Sequence, residues 1–342
     1  MKKLNWGVIG LGNIAQKFLE GFSFVRNSNL LAIASKSQSK LSKFKKEFNI
    51  NDEFVFNNYE DLINCKDVDI VYISLPNSFH YKWILECIHY KKKVLVEKPA
   101  FLNYFEAQSI RKIIKEKKIF FTEGFMYRYH PQINKIVNII KNNEIGKPLS
   151  MKSSFGINIL TKKKFIFFNK KKKINKESRL FNKNLGGGCI LDLGCYPTSF
   201  SLLVASLIDN INFQNFKLLN IENEIGETGV DIDAKMEIIF NNTFISEVEA
   251  SFKKNLGNIS IIKGEKGEII INDTWQGKDG FSVVIGNKTY DINDNGNINI
   301  FSYEIESISK SILNGSSETS FPGIKIDETL TNMKVLDEWR NG

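Results

Sequence analysis

The stretch that decides the fold is Leu4–Ala15, with the sequence LNWGVIGLGNIA. It begins with an apolar run typical of a buried strand and leads into residues with the spacing of an amphipathic helix. Gly10 permits a tight turn between them, Gly12 has no side chain to obstruct a phosphate, and Ala15 lets the helix pack closely. The pattern predicts a dinucleotide-binding turn with the pyrophosphate at the helix N-terminus. The predicted contacts are Gly10, Gly12, Asn13 and Ile14.

The first third of the chain alternates short apolar runs with amphipathic segments. Strands are predicted at Leu4–Ile9, Leu30–Ser35, Phe54–Phe56, Asp69–Leu75, Lys93–Glu97 and Ile119–Glu123. Helical patterns separate these strands, which indicates parallel strands joined by right-handed crossovers. We therefore expect an α/β Rossmann domain over residues 1–123.

After about residue 124 the pattern changes to period-two alternation separated by glycine-containing turns. Strands are predicted at Ser150–Ile157, Ala234–Phe240, Phe244–Phe252, Asn258–Lys263, Gly267–Ile271 and Phe281–Ile285. Helices are predicted at Gln132–Asn142, Gly194–Ile208, Phe301–Leu313 and Ile326–Trp339. This pattern favours an α+β domain over residues 124–342 with a large, mostly antiparallel, open-faced sheet. The C-terminal helix is expected in that domain or packed back on the Rossmann domain.

The composition is that of a soluble, two-domain globular protein. The chain has 342 residues, of which 42% are hydrophobic and 25% charged. No apolar run reaches the roughly 18 residues of a membrane span. The first residues lack the apolar segment and cleavage site of a secretory signal. We expect a cytoplasmic protein with no membrane contact.

The net charge of +9 does not by itself indicate nucleic-acid binding. Residues 162–176, KKKFIFFNKKKKINK, contain eight lysines and no acid, which leaves +1 for the rest of the chain. We interpret this stretch as a solvated loop; the alternatives are contact with an anionic substrate, a membrane surface or a polyanion. The four cysteines form no C-x-x-C pair, and the three histidines share no ligand spacing, so no metal site is predicted.

The end of the second predicted strand distinguishes NADP from NAD. An acidic residue there would bind the ribose hydroxyls of NAD. This strand ends in Ala34-Ser35-Lys36-Ser37, without an acid. Ser35 can donate a hydrogen bond to a 2′-phosphate and Lys36 can pair with it, so NADP(H) is predicted in preference to NAD(H). The alternative is that Lys36 is simply a solvated surface lysine.

Four further motifs carry candidate chemistry. They are LPNSFH at 75–80, VEKP at 96–99, TEGFMYRYHP at 122–131 and GGGCILDLGCYP at 186–197. Together with the glycine turn, this ordered set resembles the Gfo/Idh/MocA family of oxidoreductases nearly end to end. The last two motifs are most similar to the branch that holds dimeric dihydrodiol dehydrogenase and NADP-dependent D-xylose dehydrogenase. The resemblance implies an NAD(P)-dependent dehydrogenase or reductase.

The resemblance also implies a catalytic set of Lys98, Tyr196 and Asp192. Lys98 is expected beside the nicotinamide, after a peptide bond to Pro99 that is cis in many family members. Tyr196 is expected to be the general acid/base, and a neighbouring ammonium would lower the pKa of its phenol. Asp192 precedes Tyr196 by one helical turn and could bind substrate or tune the pair. The alternatives are a merely packed Tyr196 and an Asp192 that caps a helix.

Further residues are predicted at the cofactor and substrate. The cofactor set adds Leu75, Pro76, Asn77, His80 and Glu97, of which Glu97 is expected at the nicotinamide ribose. His80 is expected as a cofactor-side or helix-start contact rather than a proton shuttle. Arg128 and Arg179 are candidate substrate contacts, with a structural ion pair as the alternative for Arg128.

These features favour hydride transfer between NADP(H) and a carbinol or carbonyl carbon of a sugar or sugar-like polyol. The first alternative is a trans-dihydrodiol dehydrogenase acting on a cyclic diol. The second is a catalytically silent regulator that senses NADP, which the presence of both Lys98 and Tyr196 disfavours. Family members commonly associate through the second domain's sheet, which implies a homodimer or homotetramer.

Overall fold

The structure is a computed structural model that describes residues 2–165, 168–278, 280–292 and 299–342. The chain divides into two compact units. The first unit contains Met1–His130 and Asn297–Leu330, and the second contains Pro131–Gly296 and Thr331–Gly342. The division after His130 lies beyond the predicted boundary at 123. Residues 297–330 also return to the first unit, so the predicted second domain does not contain the whole C-terminal part.

The first unit is built on a six-stranded parallel sheet with the strand order β3-β2-β1-β4-β5-β6. Its strands are β1 (Leu4–Ile9), β2 (Ser28–Ala34), β3 (Val55–Phe56), β4 (Ile70–Ile73), β5 (Lys93–Glu97) and β6 (Phe121–Gly124). The strand order reverses direction next to β1, between β1 and β4. Ligands of open α/β sheets bind at such a reversal, outside the carboxyl ends of the strands.

Helices connect the strands of this sheet. They are α1 (Asn13–Glu20), α2 (Gln38–Phe48), α3 (Tyr59–Asn64), α4 (His80–His89) and α5 (Tyr104–Lys117). Short 3₁₀ turns at Gly21–Phe24, Asp52–Phe54, Asn77–Phe79 and Met126–Tyr129 complete the connections. The Rossmann fold predicted from the sequence is confirmed.

A helix from the C-terminal part completes the core of the first unit. This helix, α8 (Ile300–Leu313), buries Phe301 and Ile305 with Phe18 in one cluster. Trp6 in the central strand donates its indole N–H to Ser309 of α8 over 2.9 Å. The connection explains why residues after 297 belong to this unit: the apolar side of α8 covers a sheet that α1 alone would leave open.

The second unit contains, in its described part, an eight-stranded sheet with the order β10-β11-β12-β7-β13-β14-β15-β16. The strands are β7 (Pro148–Gly156), β10 (Phe216–Ile225), β11 (Asp231–Phe240), β12 (Phe244–Ser251), β13 (Ser260–Gly264), β14 (Gly267–Ile271), β15 (Phe281–Ile285) and β16 (Lys288–Ile292). All neighbouring pairs are antiparallel except β7 with β12. The predicted open-faced, mostly antiparallel sheet is confirmed.

The remaining elements of this unit are short strands and helices. The strands β8 (Thr161–Phe165) and β9 (Phe168–Lys171) form an antiparallel hairpin where a loop is predicted. The helices are α6 (Pro131–Lys141) and α7 (Cys195–Ser206), and the final helix α9 (Ile326–Asn341) begins in the first unit and ends in the second. The segment Lys183–Ser206 has the length and apolarity of a membrane span but is almost entirely buried, as in the core helix of a soluble protein.

The two faces of the large sheet differ in polarity. On β11, Ala234, Met236 and Ile238 are buried on the side that α7 covers, whereas Lys235 lies on the opposite, exposed side. Ion pairs cross neighbouring strands on that outer face, such as Lys235 with Glu222 at 3.0 Å and Lys152 with Glu247 at 3.3 Å. The alternation is the period-two pattern that the sequence shows.

Candidate active site

The glycine turn has the geometry of a phosphate cradle. Gly10 has a φ of +88°, and a Cβ there would lie 2.8 Å from the Ser74 carbonyl oxygen. Ser74 also donates its hydroxyl to the Gly10 carbonyl over 2.6 Å, which holds the turn against the end of β4. A side chain at position 10 would therefore meet both a strained backbone and a clash.

Gly12 stands at the N-cap of α1, and its position is open. A Cβ built on Gly12 would have no atom within 4 Å, whereas the following Ala15 is fully buried under the turn. Asn13 and Ile14 form the first turn of α1, whose leading N–H groups and positive dipole end favour an anion. A pyrophosphate therefore fits at this turn.

The adjacent strand end holds the two residues predicted to select NADP. Ser35 is buried, and its hydroxyl accepts a hydrogen bond from the backbone N–H of Ser37 over 3.2 Å. Lys36 is exposed, with its ammonium 5.9 Å from the centre of the Tyr59 ring. Ser37 caps α2 by accepting from the Lys40 N–H. The lysine is thus available at the surface, and its contact with a 2′-phosphate remains a prediction.

The loop after β4 brings the LPNSFH motif to the same sheet edge. Leu75 and Pro76 are half-buried, and Asn77 is buried at the start of the short turn Asn77–Phe79. His80 opens α4 and is fully buried. Its Nδ1 lies 3.1 Å from the Pro99 carbonyl oxygen and its Nε2 2.8 Å from the Leu75 carbonyl oxygen. The imidazole therefore joins two loops of the first unit.

Glu97 and Lys98 follow one another at the end of β5. Glu97 is buried and accepts a hydrogen bond from the Tyr72 hydroxyl. Lys98 is half-buried, and the Lys98–Pro99 peptide bond is cis, as expected. The Tyr72 contact places the Glu97 carboxylate against β4 of its own sheet, so its contact with a nicotinamide ribose remains a prediction.

Glu123 is a site residue for which the sequence analysis gave no role. Its Oε1 accepts from the Ala100 N–H over 2.9 Å, and its Oε2 accepts from the Thr329 hydroxyl over 2.8 Å. Burial raises the pKa of its carboxyl to about 7, although both hydrogen bonds and the charge of Arg128 act in the opposite direction. In the sequence, the signal that could have drawn attention to Glu123 was an acidic residue at the end of a predicted strand, next to a glycine.

Arg128 lies in the interior of the first unit, and its contact with a substrate remains a prediction. It is fully buried and forms an ion pair with Glu328, a residue of the same unit 200 positions further along the chain. Burial raises the pKa of the Glu328 carboxyl, an effect that the charge of Arg128 opposes. The observed contact is the structural ion pair given above as the alternative to substrate binding.

In the second unit, the glycine-rich motif shapes the approach to Tyr196. A Cβ at Gly187 would lie 2.8 Å from the Leu180 carbonyl oxygen, so the preceding loop packs directly on the glycine backbone. Gly188 has a φ of +119°, and a Cβ there would lie 2.8 Å from the carboxyl carbon of Asp231. That carboxylate accepts from the Ile190 N–H over 2.6 Å at the start of the helical segment.

Asp192 lies in a single π-helical turn, Ile190–Gly194, which continues into α7. Its carboxylate is largely buried and accepts from the half-exposed guanidinium of Arg179 over 2.9 Å. π-Turns are frequent at functional sites because the extra residue re-aims the side chains. The structure thus brings together two of the predicted residues, Asp192 and Arg179. It also gives Asp192 a role other than a helix cap.

Tyr196 lies in the first turn of α7 and is almost completely buried among aromatic rings. The centre of its ring lies 5.2 Å from that of Phe155 of β7, in an edge-on arrangement, and 5.5 Å from that of Trp275, in a tilted one. Just before it, a Cβ at Gly194 would lie 2.8 Å from the Trp339 indole, so only glycine fits there. The orientation of Tyr196 is therefore fixed by packing within its unit.

Lys98 belongs to the first unit, whereas Asp192 and Tyr196 belong to the second. The joint action of these residues remains a prediction. The lysine-rich stretch 162–176 extends over β8 and β9, and the side chains of 162–171 lie outside the described part of the chain. Among the described residues no group of three acidic, cysteine or histidine side chains is arranged to hold a metal ion. The four cysteines, which all lie in the described part of the chain, form no disulfide bond, and Cys87, Cys189 and Cys195 are buried.

Two family models match the chain and together cover most of its length. Residues 4–125 match the model described as oxidoreductase family, NAD-binding Rossmann fold. Residues 133–270 match the GFO/IDH/MocA C-terminal domain. A Rossmann cradle joined to such an open-faced sheet defines a class of dinucleotide-dependent oxidoreductases. The chain belongs to the Gfo/Idh/MocA family of oxidoreductases, as the motifs indicate.

Curated relatives include enzymes of several specificities. A trans-1,2-dihydrobenzene-1,2-diol dehydrogenase from Xenopus tropicalis is 25% identical, covering 97% of this chain and 96% of the relative. An NADP(+)-dependent D-xylose 1-dehydrogenase from Hypocrea jecorina is 29% identical, over 58% of this chain and 52% of the relative. A dTDP-3,4-didehydro-2,6-dideoxy-alpha-D-glucose 3-reductase from Actinomadura kijaniata is 30% identical, over 56% and 53%.

Solved structures share the fold over the whole chain. An aldose-aldose oxidoreductase from Caulobacter crescentus has a TM-score of 0.84 at 19% identity and covers 99% of this chain and 97% of its own. A 3-ketoreductase from Actinomadura kijaniata, solved with NADP and TDP-benzene, has a TM-score of 0.81 at 20% identity, with 100% and 98% covered. At this identity the likeness establishes the architecture and not the substrate.

Proposed function

We propose that this protein is an NADP-dependent oxidoreductase that moves a hydride between the nicotinamide and a carbinol or carbonyl carbon of a sugar or sugar-like polyol. The observation that carries the proposal is the open turn at Gly12, where the start of α1 accommodates a pyrophosphate in a chain of this oxidoreductase family. The strand-end residues of the first unit, Leu75 to Asn77 and Glu97 to Lys98, surround the same sheet edge.

The preference for NADP rests on the end of β2. No acidic side chain occupies this position, and the exposed Lys36 offers a charge that a 2′-phosphate would attract. Two comparisons support the proposal: the fungal relative carries NADP in its name, and the bacterial ketoreductase was solved with NADP bound.

The proposed chemistry divides the work between cofactor and protein. A bound nicotinamide supplies the hydride-transfer chemistry, and the protein supplies orientation and proton transfer. In the oxidative direction the phenolate of Tyr196 accepts the hydroxyl proton of the substrate as the C–H bond breaks. In the reverse direction the Tyr196 phenol donates that proton to the carbonyl oxygen. The Lys98 ammonium favours the phenolate and so brings the pKa of Tyr196 toward neutrality.

Asp192 and Arg179 are proposed to recognise the substrate. Asp192 accepts hydrogen bonds and can hold a sugar hydroxyl, while the half-exposed Arg179 keeps it oriented. Because a guanidinium pairs well with carboxylates and phosphates, the half-exposed Arg179 is also a candidate contact for an anionic group. We therefore keep acidic or nucleotide-linked sugars among the candidate substrates, and the reductases that act on dTDP-sugars support their inclusion. A charge reversal at Lys170–Lys173 tests whether the basic stretch contributes.

A substrate panel tests the proposal. Aldoses, ketoses, uronic acids and cyclic diols are assayed by the absorbance of the reduced nicotinamide, with NAD and NADP in parallel. We expect NADP-dependent oxidation of at least one sugar, or NADPH-dependent reduction of the matching carbonyl compound. Turnover confined to cyclic diols would favour the dihydrodiol dehydrogenase function of the relative that spans 97% of this chain. NADP binding without turnover of any compound would favour a silent regulator.

We also propose that copies of this chain associate through the outer face of the large sheet. Leu219, Ile245 and Ile259 are exposed there, between strands that carry the ion pairs described above. Light scattering of the purified protein is expected to give a dimer or a tetramer. An Ile245→Lys variant is expected to shift the species toward the monomer, and a monomeric wild type would contradict the proposal.

A further inference from the structure

One peptide group next to Lys98 is held at both of its ends by buried side chains. His80 Nδ1 lies 3.1 Å from the Pro99 carbonyl oxygen, and Glu123 Oε1 accepts from the Ala100 N–H over 2.9 Å. These two polar atoms belong to the same peptide unit, which begins one residue after Lys98. Both His80 and Glu123 are essentially without solvent exposure. Neither contact therefore competes with water.

His80 also fixes the distance between two loops. Its Nε2 lies 2.8 Å from the Leu75 carbonyl oxygen, in the loop that follows β4. The ring thus spans from the Leu75 loop to residues 98–102, which we call the Lys98 turn. At the far end of this turn Glu106 accepts from the Leu102 N–H over 3.0 Å. The backbone that carries Lys98 is therefore fastened by three side chains from neighbouring elements.

The two carbonyl contacts of His80 bear on the charge of its ring. A neutral imidazole carries one N–H donor and one acceptor nitrogen, whereas backbone carbonyl oxygens only accept. A carbonyl oxygen lies opposite each ring nitrogen. In a neutral ring, the unprotonated nitrogen and its carbonyl oxygen would therefore face each other with their lone pairs at hydrogen-bond distance. An imidazolium instead donates to both oxygens, and such charge-assisted bonds are roughly twice as strong as neutral ones.

Groups of the same unit offset the free-energy cost of burying this charge. Burial alone disfavours an imidazolium, but the dipoles of the Leu75 and Pro99 carbonyl groups favour it. Ionisable side chains on the elements packed against α4 include Tyr72 of β4, Glu97 of β5, Lys98 after it, Tyr104 and Glu106 of α5, and Tyr59, Glu60 and Asp61 of α3. Lys98 is the only cation in this set, and Glu60, Asp61, Glu97 and Glu106 are acids.

We propose that His80, as an imidazolium, and Glu123 are positioning residues that clamp the Pro99–Ala100 peptide group and thereby fix Lys98. Neither residue needs to touch the substrate in this arrangement. The role of Lys98 rests on the proposed function, whereas the charge of His80 does not. The two parts can therefore fail separately.

Nuclear magnetic resonance of the full-length, ¹⁵N-labelled protein tests the charge without any substrate. Long-range ¹H–¹⁵N correlations report the protonation of both ring nitrogens, and the spectrum of His80→Gln assigns the His80 signals. The exposed His89 at the other end of α4 serves as the internal reference. We expect both nitrogens of His80 to remain protonated at about pH 8, above the usual range for histidine. A single protonated nitrogen at that pH would overturn the proposal.

Kinetics with whichever substrate the panel identifies test the positioning role. We expect kcat to fall about 10-fold or more in His80→Gln, which keeps one donor, and further in His80→Leu, because misplacement of a catalytic group is costly. The NADPH Kd should stay within about 3-fold of wild type, and His89→Gln should be unchanged in both quantities. An unchanged kcat in His80→Leu would overturn the positioning role. An NADPH Kd that rises by the same factor as kcat falls would overturn it as well. A wild type without turnover refutes the proposed function instead, and the spectra still decide the charge of His80.

Discussion

Replacing Glu328 with Gln is expected to destabilise the first unit by removing one carboxylate partner of a fully buried arginine. The Arg128 side chain has 0% exposure and that of Glu328 16%, so water cannot replace the lost carboxylate. Breaking a buried ion pair from one side costs about 3–5 kcal/mol, because the remaining charge stays buried. Since Glu328 is partly exposed, we expect a value near the lower end, about 3 kcal/mol, in the free energy of unfolding.

Native-state hydrogen exchange of amides in β4 and β5 measures this quantity for the first unit alone, without assuming that the whole chain unfolds in one step. The matched control is Asp52→Asn, which removes an exposed partner of Lys45 in the same unit. That change should cost no more than about 0.5 kcal/mol. A double variant, Arg128→Met with Glu328→Leu, should recover most of the loss because both charges of the ion pair are removed together. A loss below about 1 kcal/mol in Glu328→Gln would refute the reasoning.

Three other changes have expected outcomes of different kinds. Because the pKa of Glu123 is raised from 4.5 to about 7, its stabilising contribution is complete below the lower value and is lost as the pH rises through the higher one. Relative to wild type, the free energy of unfolding of Glu123→Gln should therefore increase by about 3 kcal/mol as the pH rises from the lower value to the higher one. Stability curves of the two proteins that run parallel over this pH range would contradict the prediction. Lys36→Glu should raise the Kd of NADPH about 30-fold relative to that of NADH, and an unchanged ratio would show that Lys36 does not contact the 2′-phosphate. Arg179→Met and Asp192→Asn should each lower kcat/KM about 10-fold. The double variant should lose much less than the sum of the two single effects, because the two residues act as a pair. Additive losses would show that the two residues act independently.

Elements with a clear periodicity could be predicted from the sequence. The bounds of β1, β5, β14 and β15 follow from apolar runs limited by glycine or charged residues, and they agree with the structure to the residue. The glycine turn could also be predicted, because strand, turn and helix each leave a local signal. Such features depend on neighbours within a few positions.

Elements that depend on distant partners could not be predicted. The edge strand β10 has an irregular register between Leu219 and Glu222 and is mostly exposed, so it lacks a period-two pattern. The position of α8 in the first unit depends on a core completed by residues some 300 positions away, such as Trp6 with Ser309. The partner of Arg128 is equally remote in sequence. Local patterns contain no information on such contacts.

The residues of the candidate site also differ in whether the sequence alone could indicate their role. Lys98, Asp192 and Tyr196 could be proposed because the motifs that contain them resemble a known family. Glu123 could not be given a role, because its partners Ala100 and Thr329 are brought together only by the fold. For His80, the sequence allowed a helix start or a cofactor contact, and only the two carbonyl distances reveal a clamp between loops.

The measurement that tests the central claim most directly is a comparison of Tyr196→Phe with wild type in both NADPH binding and turnover. The substitution removes one hydroxyl and keeps the ring that packs on Phe155 and Trp275, so the fold should persist. We expect kcat to fall about 10²–10⁴-fold, the contribution typical of general acid–base catalysis, while the Kd of NADPH stays within about 2-fold. Turnover within about 3-fold of wild type would show that Tyr196 is not the proton-transfer group, and the proposed mechanism would be wrong.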